Sequence, residues 1–186
     1  MIIMSGVVTN RLQIDPVKTA EENFFAAING TSPNKPLLAS QVTHSAPVAW
    51  DSPTDAWYNT KVVITAKAGQ VLTGSVEVHY HRDALLVLGS GFSCPPAADL
   101  ALTLSYVVQQ LQLVASDVEF TVTELPTPAP GTNEVTIQLR AKASSLLYTG
   151  SLPITLVSPV EGNARLEEDG SVRLQEDGTI RLEDAA

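Results

Sequence analysis

The 186-residue chain has one cysteine, Cys94, and no apolar run approaching the ~18 residues that cross a bilayer. A single thiol forms no internal disulfide, so the expectation is a fold assembled under reducing conditions. Met1-Ile2-Ile3-Met4 is short and lacks the basic flank of a secretory signal, which points to a soluble, unprocessed protein that does not engage membranes. Positive charge is scarce: 11 Lys+Arg face 20 Asp+Glu, a net charge of −9, so nothing draws the chain towards a phosphate backbone and nucleic acid is not an expected partner. Catalytic signatures are missing as well. There is no Gly-x-Ser-x-Gly elbow, no phosphate-cradling Gly-rich loop with lysine, no Cys-x-x-Cys pair and no His-Glu-x-x-His, so the chain reads as a non-enzyme without a cofactor. What is present is an ordinary apolar content of 44%, which excludes wholesale disorder and suits one domain or two small ones.

An internal repeat organises most of the chain. Leu37-Leu38-Ala39-Ser40-Gln41-Val42 recurs as Leu113-Val114-Ala115-Ser116-Asp117-Val118, Ala66-Lys67-Ala68 as Ala141-Lys142-Ala143, and Thr73-Gly74-Ser75 as Thr149-Gly150-Ser151, at an offset of about 76. Each copy reads as a helix followed by three strands. In the first, Asp15 is the expected N-cap and Pro16 the first helical residue, with Val17, Phe24 and Ile28 on one face and Gly30 as the stop. In the second, Pro95-Pro96 open a stripe of Leu100, Leu104, Val107, Val108 and Leu111. Leu100–Leu104 also fits an alternating strand, but the longer period favours helix.

Strict alternation marks the strands. Val62, Ile64 and Ala66 face inward in copy one, and Ile137, Leu139 and Ala141 in copy two. The following strands place Val76, Val78 and Tyr80, or Leu152, Ile154 and Leu156, inward. Val42–Ala46 and Val118–Val122 open the two sheets. Pro153 falls on an outward position and predicts an edge strand, where a missing N–H is harmless. The fold class is α+β: two tandem related units, residues 1–88 and 89–160, each a helix packed on a small, mainly antiparallel sheet. Units of about 75 residues sit near the lower limit of independent stability, so mutual packing or packing on a partner is expected.

Residues 161–186 form a different object. Arg165-Leu166-Glu167-Glu168-Asp169-Gly170-Ser171-Val172 is followed by Arg173-Leu174-Gln175-Glu176-Asp177-Gly178-Thr179-Ile180, and a third copy opens at Arg181-Leu182. Each Asp-Gly suits a tight turn. The apolar content is too low for a core, leaving a solvated tail or an extended arm that orders on another subunit; the strict period favours the arm.

Three groups of side chains invite a chemical reading. His79 and His81 lie on one strand face with Glu77, a spacing that could ligate a transition metal, although this is the polar face, where solvated histidines are ordinary; no metal is expected. His44 reads as a half-buried residue at the sheet margin, and Cys94 has no neighbouring base to activate it. Trp50, Trp57 and Tyr58 lie in a long Pro/Asp-rich loop, Ala46–Thr60, which suits a protein interface or a sugar platform, or else folds down over the small core.

With repeat and tail in view, the sequence resembles virion structural proteins of large tailed bacteriophages. The resemblance lies in Asn59-Thr60-Lys61-Val62-Val63-Ile64-Thr65-Ala66, the glycine-containing loop and Gly74-Ser75-Val76-Glu77-Val78-His79-Tyr80-His81-Arg82, and in the Arg-Leu-x-Glu-Asp-Gly tail. It implies a non-enzymatic, multi-copy particle component made in the host bacterial cytoplasm. An exterior capsid decoration or cement protein leads, followed by a tail, baseplate or fibre component; a carbohydrate-binding or adhesin-like module is the reading outside that class. The partners implied are the major capsid or tail protein and further copies of the chain. The expected partner-binding residues are Trp50, Trp57 and Tyr58 in the loop and Arg165, Leu166, Arg173, Leu174, Arg181 and Leu182 in the arm.

Overall fold

The computed structural model describes residues 2–3, 12–31, 36–51, 57–89 and 91–158. Residues 161–186, expected to be an arm with six contact residues, lie outside them. In chain order the elements are β1 (Ile2–Ile3), α1 (Ala20–Thr31), a 3-10 turn (Ala39–Gln41), β2 (Val42–His44), β3 (Val48–Ala49), β4 (Thr60–Ala66), β5 (Leu72–Thr73), β6 (Ser75–Tyr80), β7 (Asp83–Ala84), α2 (Leu85–Gly89), β8 (Ser93–Cys94), α3 (Leu100–Gln110), a second 3-10 turn (Ala115–Asp117), β9 (Val118–Phe120), β10 (Glu134–Ala141), β11 (Tyr148–Thr149) and β12 (Ser151–Val157). The architecture is α+β.

In the first sheet β4 is central, with β6 on one side and β2 and β3 in succession on the other, all antiparallel. The second sheet runs β8-β12-β10-β9, antiparallel except for β8. The alternation dictates the buried faces: Val62, Ile64, Val78 and Tyr80 are buried in one sheet, and Ile137, Leu139, Leu152, Ile154 and Leu156 in the other. Both sets join a single apolar cluster with Phe24, Phe25 and Ile28 of α1 and Val107 and Val108 of α3.

Matching backbone details recur in both sheets. Val42 pairs with Ala66 as Val118 pairs with Ala141. The amide of Lys67 donates to Gln41 O and that of Lys142 to Asp117 O, each at 2.9 Å. Ala66 N–H donates to Gly74 O and Ala141 N–H to Gly150 O, each at 3.0 Å, and both glycines are left-handed, φ +89° and +76°. β5 and β11 each pair in parallel with a two-residue strand, β1 and β7 respectively.

The helix starts are also built alike, and here the structure corrects the sequence reading. α1 begins at Ala20, not Pro16. Thr19 and Glu22 form a reciprocal capping box: Glu22 N–H donates to Thr19 Oγ1 at 3.2 Å and Thr19 N–H to Glu22 Oε2 at 2.8 Å. Asp15 closes the preceding turn by accepting from Val17 N–H at 3.0 Å, and Val17 is 92% exposed, so it is not a core residue. Gly30 lies inside the helix, which continues to Thr31. Leu100–Leu104 is helical; Asp99 caps it by accepting from Leu102 N–H at 2.8 Å. One turn into each helix a buried polar side chain ties the incoming segment down. Asn23 donates to Thr19 O and accepts from Asp15 N–H, and Thr103 donates to Asp99 O and accepts from Ala97 N–H.

Pro153 is the other correction. β12 is an interior strand between β8 and β10, but β8 reaches only Thr155 and Leu156. Thr155 N–H donates to Phe92 O, so the nitrogen of Pro153, two residues earlier, points to the same side beyond the end of β8, where no ladder bond is required.

Candidate interaction surface

The outward face of the first sheet gathers side chains from three strands and the loop after β3. Trp50 N–H donates to Asn59 O at 2.9 Å, extending the β3–β4 ladder by one residue, so the indole comes out on the same face as Val48 and Lys61. Its ring stacks on His79 at 4.4 Å between centroids and 22° between planes, and Lys61 Nζ sits 4.6 Å from its centre. Trp57 stacks on His81 at 5.4 Å and 28°. Such ring pairs contribute about 0.5–1.5 kcal/mol beyond area burial.

Polar bonds fix the histidines. His79 Nε2–H donates to Glu77 Oε1 at 2.7 Å, and Lys61 Nζ reaches Glu77 Oε2 at 3.2 Å on the diagonal of the register that sets Lys61 opposite His79. The two donors hold the Glu77 carboxyl below its ordinary range, with the His79 bond the larger cause. His81 Nδ1–H donates to Trp57 O at 2.8 Å. The loop aromatics and strand histidines, read separately from sequence, thus form one surface. Trp57 is 51% exposed and Val48 54%, while Trp50 and Tyr58 are half-buried. Among the described residues no group of three His, Cys, Asp or Glu side chains is placed to hold a metal ion. His44 is half-buried beside Phe24, with Nδ1–H donating to Ser45 O. Burial raises the Cys94 thiol pKa, which disfavours the nucleophilic thiolate.

A second polar cluster, missed in the sequence, lies at the junction of the two sheets. Asn59 grips the Arg82 backbone from both sides, accepting from its N–H and donating to its carbonyl at 2.9 Å each. The Arg82 guanidinium then donates through Nε to the buried Thr60 Oγ1 at 2.8 Å and through Nη1 to Ser145 O at 3.0 Å. Ser145 Oγ–H donates to Asp117 Oδ2 at 2.7 Å while accepting from Tyr148 N–H at 2.9 Å. Tyr148 OH accepts from Val114 N–H at 3.1 Å, and burial pushes its pKa up to about 12. The fully buried Tyr80 OH has no hydrogen-bond partner among the described residues, and burial raises its pKa further. Thr60, Ser145 and Asp117 are buried, and these bonds close loops and join the two sheets.

Fold and surface together define an α+β protein whose exposed chemistry is an aromatic–histidine face. The chain belongs to the family of unknown function DUF7941, whose model matches residues 15–167. No curated protein and no solved structure matches it.

Proposed function

We propose that the chain is a non-enzymatic structural protein of a tailed-phage virion, most directly an exterior decoration or cement protein docking on the capsid shell. The observation that carries the docking is the outward face of the first sheet, where Trp50 and Trp57 are held on His79 and His81 beside the exposed Val48. Fixed aromatics with an apolar margin have the composition of interface hot spots, because little side-chain entropy is lost when they are covered. The direction towards a phage particle comes from the resemblance of residues 59–82 and of the octad tail. In this reading the halves 1–88 and 89–160 are copies of one unit, supported by their matching registers and helix caps, and residues 161–186 are an arm that adds short strands to a neighbouring sheet edge.

The test is particle occupancy. Trp50→Ala with Trp57→Ala should deplete the chain from purified particles while the body stays folded, its melting temperature lowered only by the loss of the two ring stacks, and deletion of 162–186 should weaken assembly without unfolding the body. Undiminished occupancy of the double variant refutes the face as the docking site.

A second reading, a carbohydrate-binding module, is favoured by the 51% exposure of Trp57. A glycan array without hits, or binding indifferent to Trp57→Ala, dismisses it.

A further inference from the structure

The two sheets part company along the first half of the long strand they share, β4 in one and β10 in the other. In the first sheet the chain leaves β2 with Ser45 N–H donating to Val63 O, makes a short detour and returns to cover the rest of β4. Val48 pairs with Lys61 and Ala49 with Thr60, and Trp50 N–H donates to Asn59 O. In the second sheet the chain leaves β9 with the matching bond, Thr121 N–H to Gln138 O at 2.9 Å, but does not return: β9 pairs with β10 over Leu139–Ala141 alone. The reason is local. Pro126, Pro128 and Pro130 fall at every second position, so one side of that segment has no N–H to give to a ladder.

β10 therefore keeps a bare half-edge. Gln138 O accepts from Thr121 N–H and Lys142 N–H donates to Asp117 O, so the even-numbered residues turn their backbone groups towards the β9 side. Asn133 O accepts from Ser158 N–H, so the odd-numbered ones turn towards β12. The N–H and C=O of Glu134 and Thr136 and the N–H of Gln138 thus face the gap, with no backbone partner among the described residues. Glu134 and Thr136 are exposed, and Val135 is half-buried where its counterpart in the first sheet, Thr60, is fully buried. The first sheet gives the shape of what is missing: an antiparallel segment with outward, inward and outward side chains, as in Val48-Ala49-Trp50.

We infer that Arg173-Leu174-Gln175 of a neighbouring copy fills this gap as a short added strand. The inference rests on the reading of residues 161–186 as an arm and names the edge that receives it. In the register of β3, Arg173 stands opposite Thr136, Leu174 opposite Val135 and Gln175 opposite Glu134. Leu174 covers the half-buried Val135, and Arg173 lies on the diagonal to Glu134. The octads are not equivalent in this place. The first and third carry Glu167 and Glu183 where the middle one carries Gln175, and either glutamate would set a carboxylate against Glu134. The donor is a second copy because the added strand runs parallel to β12, so an own arm would have to cross the sheet face to enter it. Such crossovers are usually helices, and residues 159–172 carry Pro159, Gly162 and Gly170.

Cross-linking of full chains tests this. Val135 and Leu174 would form a non-hydrogen-bonded pair, whose Cα spacing of about 4.5 Å suits a disulfide. Val135→Cys and Leu174→Cys chains, mixed in a glutathione redox buffer, should join through these two thiols, as read by peptide mapping. Leu166→Cys or Leu182→Cys in place of Leu174→Cys should link more slowly. Gln175→Glu on the Leu174→Cys chain should slow the reaction about two- to fivefold, and Glu134→Gln on its partner should restore it. With both cysteines in one chain the link should still form between chains and slow on dilution. Should Val135→Cys disturb the fold, sedimentation velocity replaces it: the wild type should self-associate and Leu174→Glu should weaken that association. Octads that link equally well, a link within one chain that is indifferent to dilution, or a wild type that stays monomeric overturns the inference. If deletion of 162–186 weakens assembly on particles but no 135–174 link forms, the edge is wrong and the arm stands; if the deletion changes nothing, the arm itself fails.

Discussion

Arg82→Met should loosen the junction between the two sheets while sparing each sheet's own core. The substitution keeps the stem length and removes the planar donor fork that bonds Thr60 Oγ1 at 2.8 Å and Ser145 O at 3.0 Å. Hydrogen bonds from a charged donor contribute about 1.5–3 kcal/mol each, and the Ser145 carbonyl is left short of a partner, whereas Thr60 keeps its bond to Asn59 Oδ1. The net cost worked from these contacts is about 2–4 kcal/mol. Arg82→Lys, which retains charge without the fork, should cost about half as much. Urea unfolding followed by both tryptophan fluorescence and far-ultraviolet circular dichroism reads the effect. The tryptophans lie in the first half, so a first half that releases separately shows as transitions that no longer coincide. Lys67→Met is the control: its ammonium reaches only Ala39 O at the surface, and about 0.5 kcal/mol or less is expected. An Arg82→Met midpoint no lower than that of the control refutes the reasoning.

The remaining predictions use single atoms as probes. Tyr80→Phe should be neutral or stabilising by about 1 kcal/mol because its buried hydroxyl lacks a partner, while Tyr148→Phe should cost about 1–2 kcal/mol because Val114 N–H loses its acceptor; thermal melts of the pair decide, and equal effects contradict the assignment. Gln112 holds a left-handed backbone, φ 54°, at the end of α3, where Leu113 N–H caps Val108 O, so Gln112→Gly should stabilise by about 0.5–1 kcal/mol in denaturant titration. Glu77 has a folded pKa below its unfolded value, so its contribution is present above the ordinary glutamate range and lost as pH falls through the lower folded value; carboxyl carbon shifts should titrate below those of a peptide glutamate, and a midpoint at or above that value refutes the network.

The elements legible in the sequence were those with a period. Val62, Ile64 and Ala66, or Ile137 and Leu139, alternate over enough residues that only a half-buried strand fits, and the stripe of α3 is long enough to outweigh the strand-like start at Leu100. The first helix was misplaced because Asp15-Pro16 carries the same residue preferences as a cap, and nothing local distinguishes an aspartate that caps a helix from one that closes the turn before it; the Thr19–Glu22 spacing was the available signal. The two-residue strands β1, β7 and β8 have no period to read, so neither the parallel pairings nor the interior position of Pro153 could be foreseen. At the surface, composition flagged Trp50, Trp57, His79 and His81 individually. Their pairing depends on how far the β3–β4 loop turns back, which is a tertiary fact. Arg82 went unnoticed because its partner Ser145 is distant in sequence and neither residue is unusual where it stands.

The central claim, that this chain is a structural component of a phage particle, is tested most directly by quantitative mass spectrometry of purified particles, counting the chain against the major capsid protein. The account predicts a copy number in the hundreds, as a shell decoration requires. Absence from the particles would contradict it.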